Sequence, residues 1–189
     1  KLSLDFIVIQ KHNLNQKKMT TAQELLQELS LEAEVTRRYL ECIPFERSEF
    51  QPAEKSEKLG RLAIHLAEII AWWKNVAEQD KLDFSNFEPA EIKTTQELLD
   101  YFDHLLAQST CSLQILTDEE LNKDWSMTHG EEIYFTLPKK QVLRLFCMNH
   151  LVHHRAQLGV YLRLLNIPVP ATYGPSADDF DVILTRKLS

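Results

Sequence analysis

Asn149-His150-Leu151-Val152-His153-His154-Arg155-Ala156-Gln157-Leu158 lies inside a longer run with a helical period. Leu143, Cys147, His150, His154, Leu158, Tyr161 and Leu165 recur every three or four positions, the mark of one helix face turned inward. The run predicts a long helix with Pro138 as its first residue, where proline is tolerated, closed by Asn166 and Pro168. His150 and His154 are four apart, so their rings project from the same face about one turn apart. Two ionisable rings on a buried face must be satisfied by partners. Two imidazoles at this spacing can share one metal ion.

Working outward, three more segments carry the same period. Ala22, Leu25, Leu26, Leu29, Ala33, Leu40 and Ile43 predict a first helix from about Thr21 to Ile43, with a capping-box spacing at Thr21 and Glu24 and a stop at Pro44. Leu59, Leu62, Ala63, Leu66, Ile69, Ile70 and Trp73 predict a second from near Ser56 to about Gln79. Asp80 to Pro89 reads as a loop. A third helix opens at Thr94 or Thr95 and turns Leu98, Phe102, Leu105, Ser109, Leu113 and Leu116 inward. Residues 124–136 read as a small hairpin or an irregular crossover around His129-Gly130. The expected fold class is all-α, a four-helix bundle with that short hairpin or crossover between helices three and four.

Two ligands from one helix make a weak metal site. His65, bordering the inner stripe of helix two, is the candidate third, because bundle sites are built from side chains on facing helices. A three-histidine site leaves a coordination position open for water or substrate. Packed core histidines are the plain alternative, since pairs at this spacing also arise by chance. His153 is rotated off the stripe and reads as an interface or supporting residue. Cys147 falls on the stripe and reads as core, with a role as fourth ligand left open. Glu68, one turn from His65, is either a hydrogen-bond acceptor for it or an exposed acid. Arg155 and Gln157 read as a solvated or partner-facing surface. His12, His104 and His129 have no matching partners.

Composition narrows the function classes. The chain has 189 residues, 44% hydrophobic and 26% charged, with four glycines and a net charge of −7. That balance suits one globular domain and gives no basic stripe for nucleic acid. No apolar run approaches the ~20 residues of a membrane helix. Three widely spaced cysteines, Cys42, Cys111 and Cys147, form no disulfide framework, and a reducing cytoplasm is the simplest home. There is no glutamate after His150, as a zincin helix needs, and no glycine-rich phosphate loop. Met19-Thr20-Thr21 reads as a natural start, so residues 1–18 are expected to be an extension added in cloning. A short strand or arm packed on the bundle is the alternative. Residues 19–179 then form the domain and 180–189 a tail.

The stretch His150 to Leu158 with Tyr161-Leu162-Arg163 resembles the last helix of the DinB/YfiT-like family of metalloenzymes. Ile167-Pro168-Val169-Pro170 and Tyr173-Gly174-Pro175-Ser176-Ala177-Asp178 are similar to its ending, and Leu59 to Glu68 with Trp72-Trp73 resembles its second helix. The resemblance spans roughly residues 19–179. It implies an up-down-down-up bundle, a divalent metal (zinc or nickel) on His65, His150 and His154, and a homodimer acting on a small molecule. Ala156 stands where many members have glycine, with no consequence expected for the metal. Some relatives are transferases using a low-molecular-weight thiol such as bacillithiol or mycothiol. The resemblance therefore implies a metal-dependent thiol S-transferase or a hydrolase-like enzyme in detoxification or stress response. A non-catalytic metal-binding protein is the rival, and a closed metal shell would mark it.

Overall fold

The computed structural model describes residues 19–179. The extension and the tail expected from the sequence lie outside the described residues. Four long helices dominate. Helix α1 (Thr21–Glu41) is capped by Thr20, one residue before the cap expected, with Gln23 completing the capping box. A 3₁₀ turn (Phe45–Arg47) follows Pro44. Helix α2 (Leu59–Glu78) begins three residues later than its periodicity suggested. Helix α3 (Thr95–Ile115) opens on the capping box of Thr94 and Glu97, and a short helix α4 (Asp118–Leu121) follows. The last long helix runs without a break through α5 (Lys139–Val142), a π-helical segment (Leu143–Met148) and α6 (Asn149–Leu164).

Each of α1 and α2 packs mainly against α3 and the C-terminal helix, so α1 and α2 stand diagonally opposed. Named contacts give the sense of each helix. Lys139 pairs with Asp80 beyond the end of α2, while the Tyr161 hydroxyl donates to the Glu57 carbonyl before its start. The C-terminal helix is therefore antiparallel to α2. It is parallel to α1, since Arg144 meets Glu28 and Arg155 meets Glu32 and Thr36. Helix α3 opposes α1, with Arg37 on Asp103 and the Thr95 hydroxyl on the Ile43 carbonyl. It runs with α2, with Ser109 on the Ile70 carbonyl and Ser112 on Glu78. Between them lies one continuous core that includes Leu29, Leu40, Leu66, Ile69, Ile70, Trp73, Leu98, Phe102, Leu151, Leu158 and Leu162.

The chain is not purely helical. Strands β1 (Lys81–Asp83), β2 (Asp124–His129) and β3 (Glu132–Pro138) form a three-stranded sheet in that order, β1 parallel and β3 antiparallel to β2. The hairpin was one of two expected forms for residues 124–136; β1 was read as loop. Three residues with a charge at each end carry too little alternation to be seen in sequence. Gly130 at φ 60° makes the hairpin turn, a backbone region where a side chain is strained. Asp83 accepts from the Ser85 and Gly130 amides, which hold its carboxyl down to about 2 and fasten the turn to β1. The buried Trp125 donates its indole N–H to Asn75, tying the sheet to the end of α2.

Arg155 also departs from expectation. Read as a surface residue, it is 2% exposed. Its guanidinium bonds the Glu32 carboxylate at 2.6 Å, the Glu32 carbonyl, the Thr36 hydroxyl and the Tyr173 hydroxyl at 2.7 Å. The C-terminal turn is thereby pinned to α1. Breaking a buried pair by removing one partner typically costs about 3–5 kcal/mol. Arg155→Ala should lower stability by about 3 kcal/mol in urea denaturation, and Arg155→Met, which refills the volume, by less. A loss below about 1 kcal/mol for the alanine variant would show that the network does not hold the fold.

Candidate metal centre

The antiparallel seam between α2 and the C-terminal helix brings His65, His150 and His154 together. Their ring centroids are 4.5–5.1 Å apart, and one ring nitrogen of each lies within 4.8 Å of the others. The His150 Nε2 is 2.7 Å from the His154 Nε2 and 3.4 Å from the His65 Nε2. Three nitrogens bound tetrahedrally to one zinc at ~2.0–2.1 Å would be about 3.3 Å apart. The 3.4 Å pair is close to that, and the 2.7 Å pair needs to open by about 0.6 Å.

The other ring nitrogens show which way the protons face. The His150 Nδ1–H donates to the Phe146 carbonyl at 3.2 Å, and the His154 Nδ1–H to the Gln157 Oε1 at 2.7 Å. The His65 Nδ1 faces the Glu68 carboxylate at 3.6 Å, an electrostatic contact longer than a formed hydrogen bond. Acceptors facing Nδ1 leave the Nε2 lone pairs to converge on a common point. Glu68 is 4% exposed, takes Arg61 on one oxygen at 2.5 Å and the Ala90 amide on the other at 3.1 Å. Burial alone would raise its carboxyl, but His65, Arg61 and the Ala90 amide outweigh it and hold Glu68 below its usual range. Of the two readings weighed for it, the exposed acid is excluded by its burial, and its tie to His65 is electrostatic.

The local fold explains how the rings reach this point. In the π-helical segment the Asn149 amide bonds the Arg144 carbonyl, five residues back. The extra residue shifts the phase of the helix just before His150. Leu151, Arg155, Leu158 and Leu162 point into the core centre, while His150, His154 and Tyr161 border it toward α2. Trp72 lies 5.2 Å from His150 and 6.2 Å from His65, backed by Phe84, and forms an aromatic wall on one side of the cluster. On the other side a cavity of about 500 Å³ opens onto His65 and His154, walled by Lys55, Arg61, Gln157 and Tyr161 among others. His153 instead lines a hollow of about 550 Å³ between α1 and the C-terminal helix that contains none of the three clustered rings. Cys147 is fully buried core, its thiol pushed up by burial, and is not part of the cluster.

Sequence reasoning missed Lys55 and Arg61. Arg61 had a signal: Arg61, His65 and Glu68 fall at i, i+4 and i+7 on one helix face. Lys55 had none, since it stands in a connection whose path only the fold defines.

The cluster gives metal-free protein a defined response to acid. Burial first, then the neighbouring His154 and His65, push His150 down to about 4 from its ordinary 6.5. His154 is lowered as well, again mainly by burial. Between pH 6.5 and 4 the unfolded chain therefore binds protons that the folded chain does not, and acid favours unfolding. This stability is fully present above pH 6.5 and is lost as pH falls toward 4, by about 1–3 kcal/mol. Urea denaturation of metal-free protein across that window checks it; a His150→Phe variant should show a flatter profile.

Residues 15–185 match the DinB family. No curated protein matches the chain. A DinB-like protein from Bacillus subtilis superposes with a TM-score of 0.62 at 21% identity, covering 79% of this chain and 96% of its own. One from Bacillus cereus gives 0.59 at 22%, covering 79% and 95%. YfiT from Bacillus subtilis, described as a probable metal-dependent hydrolase with an unusual four-helix bundle topology, gives 0.53 at 16%, covering 82% and 94%. At these identities the structural likeness establishes the fold. With nearly the whole length matched by the family itself, the chain belongs to the DinB family.

Proposed function

We propose that this protein is a metal-dependent enzyme in which His65, His150 and His154 hold one divalent ion. One observation carries the reading. Three Nε2 lone pairs converge while the Nδ1 sides face acceptors, so a cation is the natural partner at their meeting point. Zinc and nickel both suit three imidazoles. A divalent ion there supplies a Lewis acid that acidifies a thiol or a water bound beside it.

The cluster includes neither Cys147 nor a carboxylate, which favours an open coordination position over the closed shell of a non-catalytic metal carrier. The residues around it favour a thiol as the activated group. Among the described residues, Glu57 is the one acid in the cavity wall, and Glu68 is spent on Arg61, Ala90 and His65. A thiol ionises near neutral pH with little help beyond the ion, whereas attack by water usually draws on a general base. The leading reading is therefore transfer of a small thiol to an electrophile, in detoxification or stress response, in the cytoplasm. Hydrolysis is the second reading; the description of YfiT as a metal-dependent hydrolase favours it. Two copies are proposed to pair through the C-terminal helix, where Leu145, Val160 and Leu164 are exposed. The domain proper is taken as residues 19–179.

Elemental analysis of purified protein tests the central claim. Wild type should carry about one ion per chain and the His150→Ala, His154→Ala double variant none. Glu68→Gln should keep the fold and weaken the metal about 10–100-fold. Equal metal content in wild type and double variant would sink the proposal.

A further inference from the structure

The cavity beside the three histidines has a chemical bias of its own. Its wall carries more uncommitted donors than acceptors. Lys55 makes no hydrogen bond or ion pair among the described residues and stands exposed at the rim. Arg61 spends Nη2 on Glu68, while its buried Nη1 has no partner. Gln157 spends its carbonyl oxygen on His154, which leaves the amide N–H₂ free. Against these stands Glu57, an acid whose Oε1 already accepts the Lys58 amide. The Tyr161 hydroxyl is turned to the Glu57 carbonyl. Glu57 and Glu68 balance the two cations in charge, so the bias of the wall lies in its unspent donors rather than in its net charge. A buried guanidinium N–H without an acceptor is costly, and a shift of the Arg61 side chain toward a ligand oxygen in the cavity relieves that cost.

We infer that the substrate taken at this centre is a small molecule bearing a carboxylate, received by Arg61 and Lys55 while its reacting atom faces the histidines. The inference rests on the metal reading above. It assigns Arg61 a double part: it restrains Glu68, and through it His65, and it offers its remaining N–H groups to the ligand. Lys55 adds charge at the mouth and Gln157 an amide donor near the reacting atom. The Trp72 and Phe84 side, with no charged group in that aromatic wall, provides no comparable anchor for a carboxylate.

Protein loaded with cobalt(II) gives a binding readout independent of turnover, because thiolate ligation produces a charge-transfer band. Two probes of similar size separate the anion from the thiol: 3-mercaptopropionate, with a carboxylate, and 2-mercaptoethanol, without. The carboxylate probe should bind at least ~10-fold more tightly, the worth of one charge-assisted contact. Lys55→Gln should remove most of that advantage and leave 2-mercaptoethanol unchanged. Arg61→Gln should weaken both probes through Glu68 and His65, the carboxylate probe more; should that variant fold poorly, the exposed Lys55 variant still decides. High salt should narrow the gap between the probes as well. Equal affinity of the two thiols for a cobalt-loaded wild type, or an advantage untouched by Lys55→Gln, would overturn the carboxylate assignment and leave the metal reading intact. A protein that retains no cobalt would overturn both, and the cobalt content itself tells the two failures apart.

Discussion

The antiparallel seam between α2 and the C-terminal helix is the constraint on which the rest of the site depends. A helix seam of this kind is ordinarily filled by aliphatic side chains, and most of this one is. At one level, three imidazoles take that place. Each ring brings two nitrogens, and buried nitrogens need partners. The structure meets this by turning Nδ1 outward to a backbone carbonyl, a glutamine or a glutamate, and Nε2 inward. Rotation of the His150 or His154 ring would give up its Nδ1–H bond to the Phe146 carbonyl or to Gln157, while the converging Nε2 atoms are left for a cation to satisfy. The orientation of the rings is therefore fixed by their surroundings before any ligand arrives, which lowers the cost of organising a site.

Glu68 connects this cluster to the rest of the molecule. It touches His65 on its own helix, Arg61 about two turns away, and the Ala90 amide in the connection to α3. That connection also carries Phe84 and Phe87; the Phe84 ring meets both Phe87 and Trp72 edgewise. A single buried carboxylate thus holds the ring, the guanidinium in the cavity wall and the segment carrying part of the aromatic wall. Its lowered pKa follows from the same contacts, which favour the ionised carboxylate.

Much of this was legible in the sequence, for reasons that are themselves physical. The helices announce themselves through periodic leucines, and the pair His150 and His154 through a spacing that only a helix makes meaningful. His65 was the candidate because it borders the inner stripe of helix two and bundle sites are built from side chains on facing helices. Other features were hidden because they depend on groups distant in the chain. Arg155 looks like surface from its neighbours alone; its partners are Glu32 and Thr36 on α1 and Tyr173 beyond the helix end. Strand β1 exists only because β2 returns beside it. The cap at Thr20 competes with an equally plausible Thr21, and the choice between Gln23 and Glu24 as its partner turns on one residue of phase.

The π-helical segment is the part no periodicity could have shown, and it bears on where the histidines point. Had Leu143 to His154 been one uninterrupted α-helix, the residues of its first half and second half would share a stripe, as the sequence reading assumed. The wider turn breaks that continuity. Residues after it are rotated relative to those before, so Leu151, Arg155 and Leu158 take the core centre and the histidines move to the edge that faces α2. An edge position suits a functional ring. It is dry enough to keep His150 neutral, with its carbonyl partner at Phe146, yet it meets a cavity through His154. Placed on the core centre, the same rings would be sealed from any substrate; placed one position further out, they would lose the packing that holds them together.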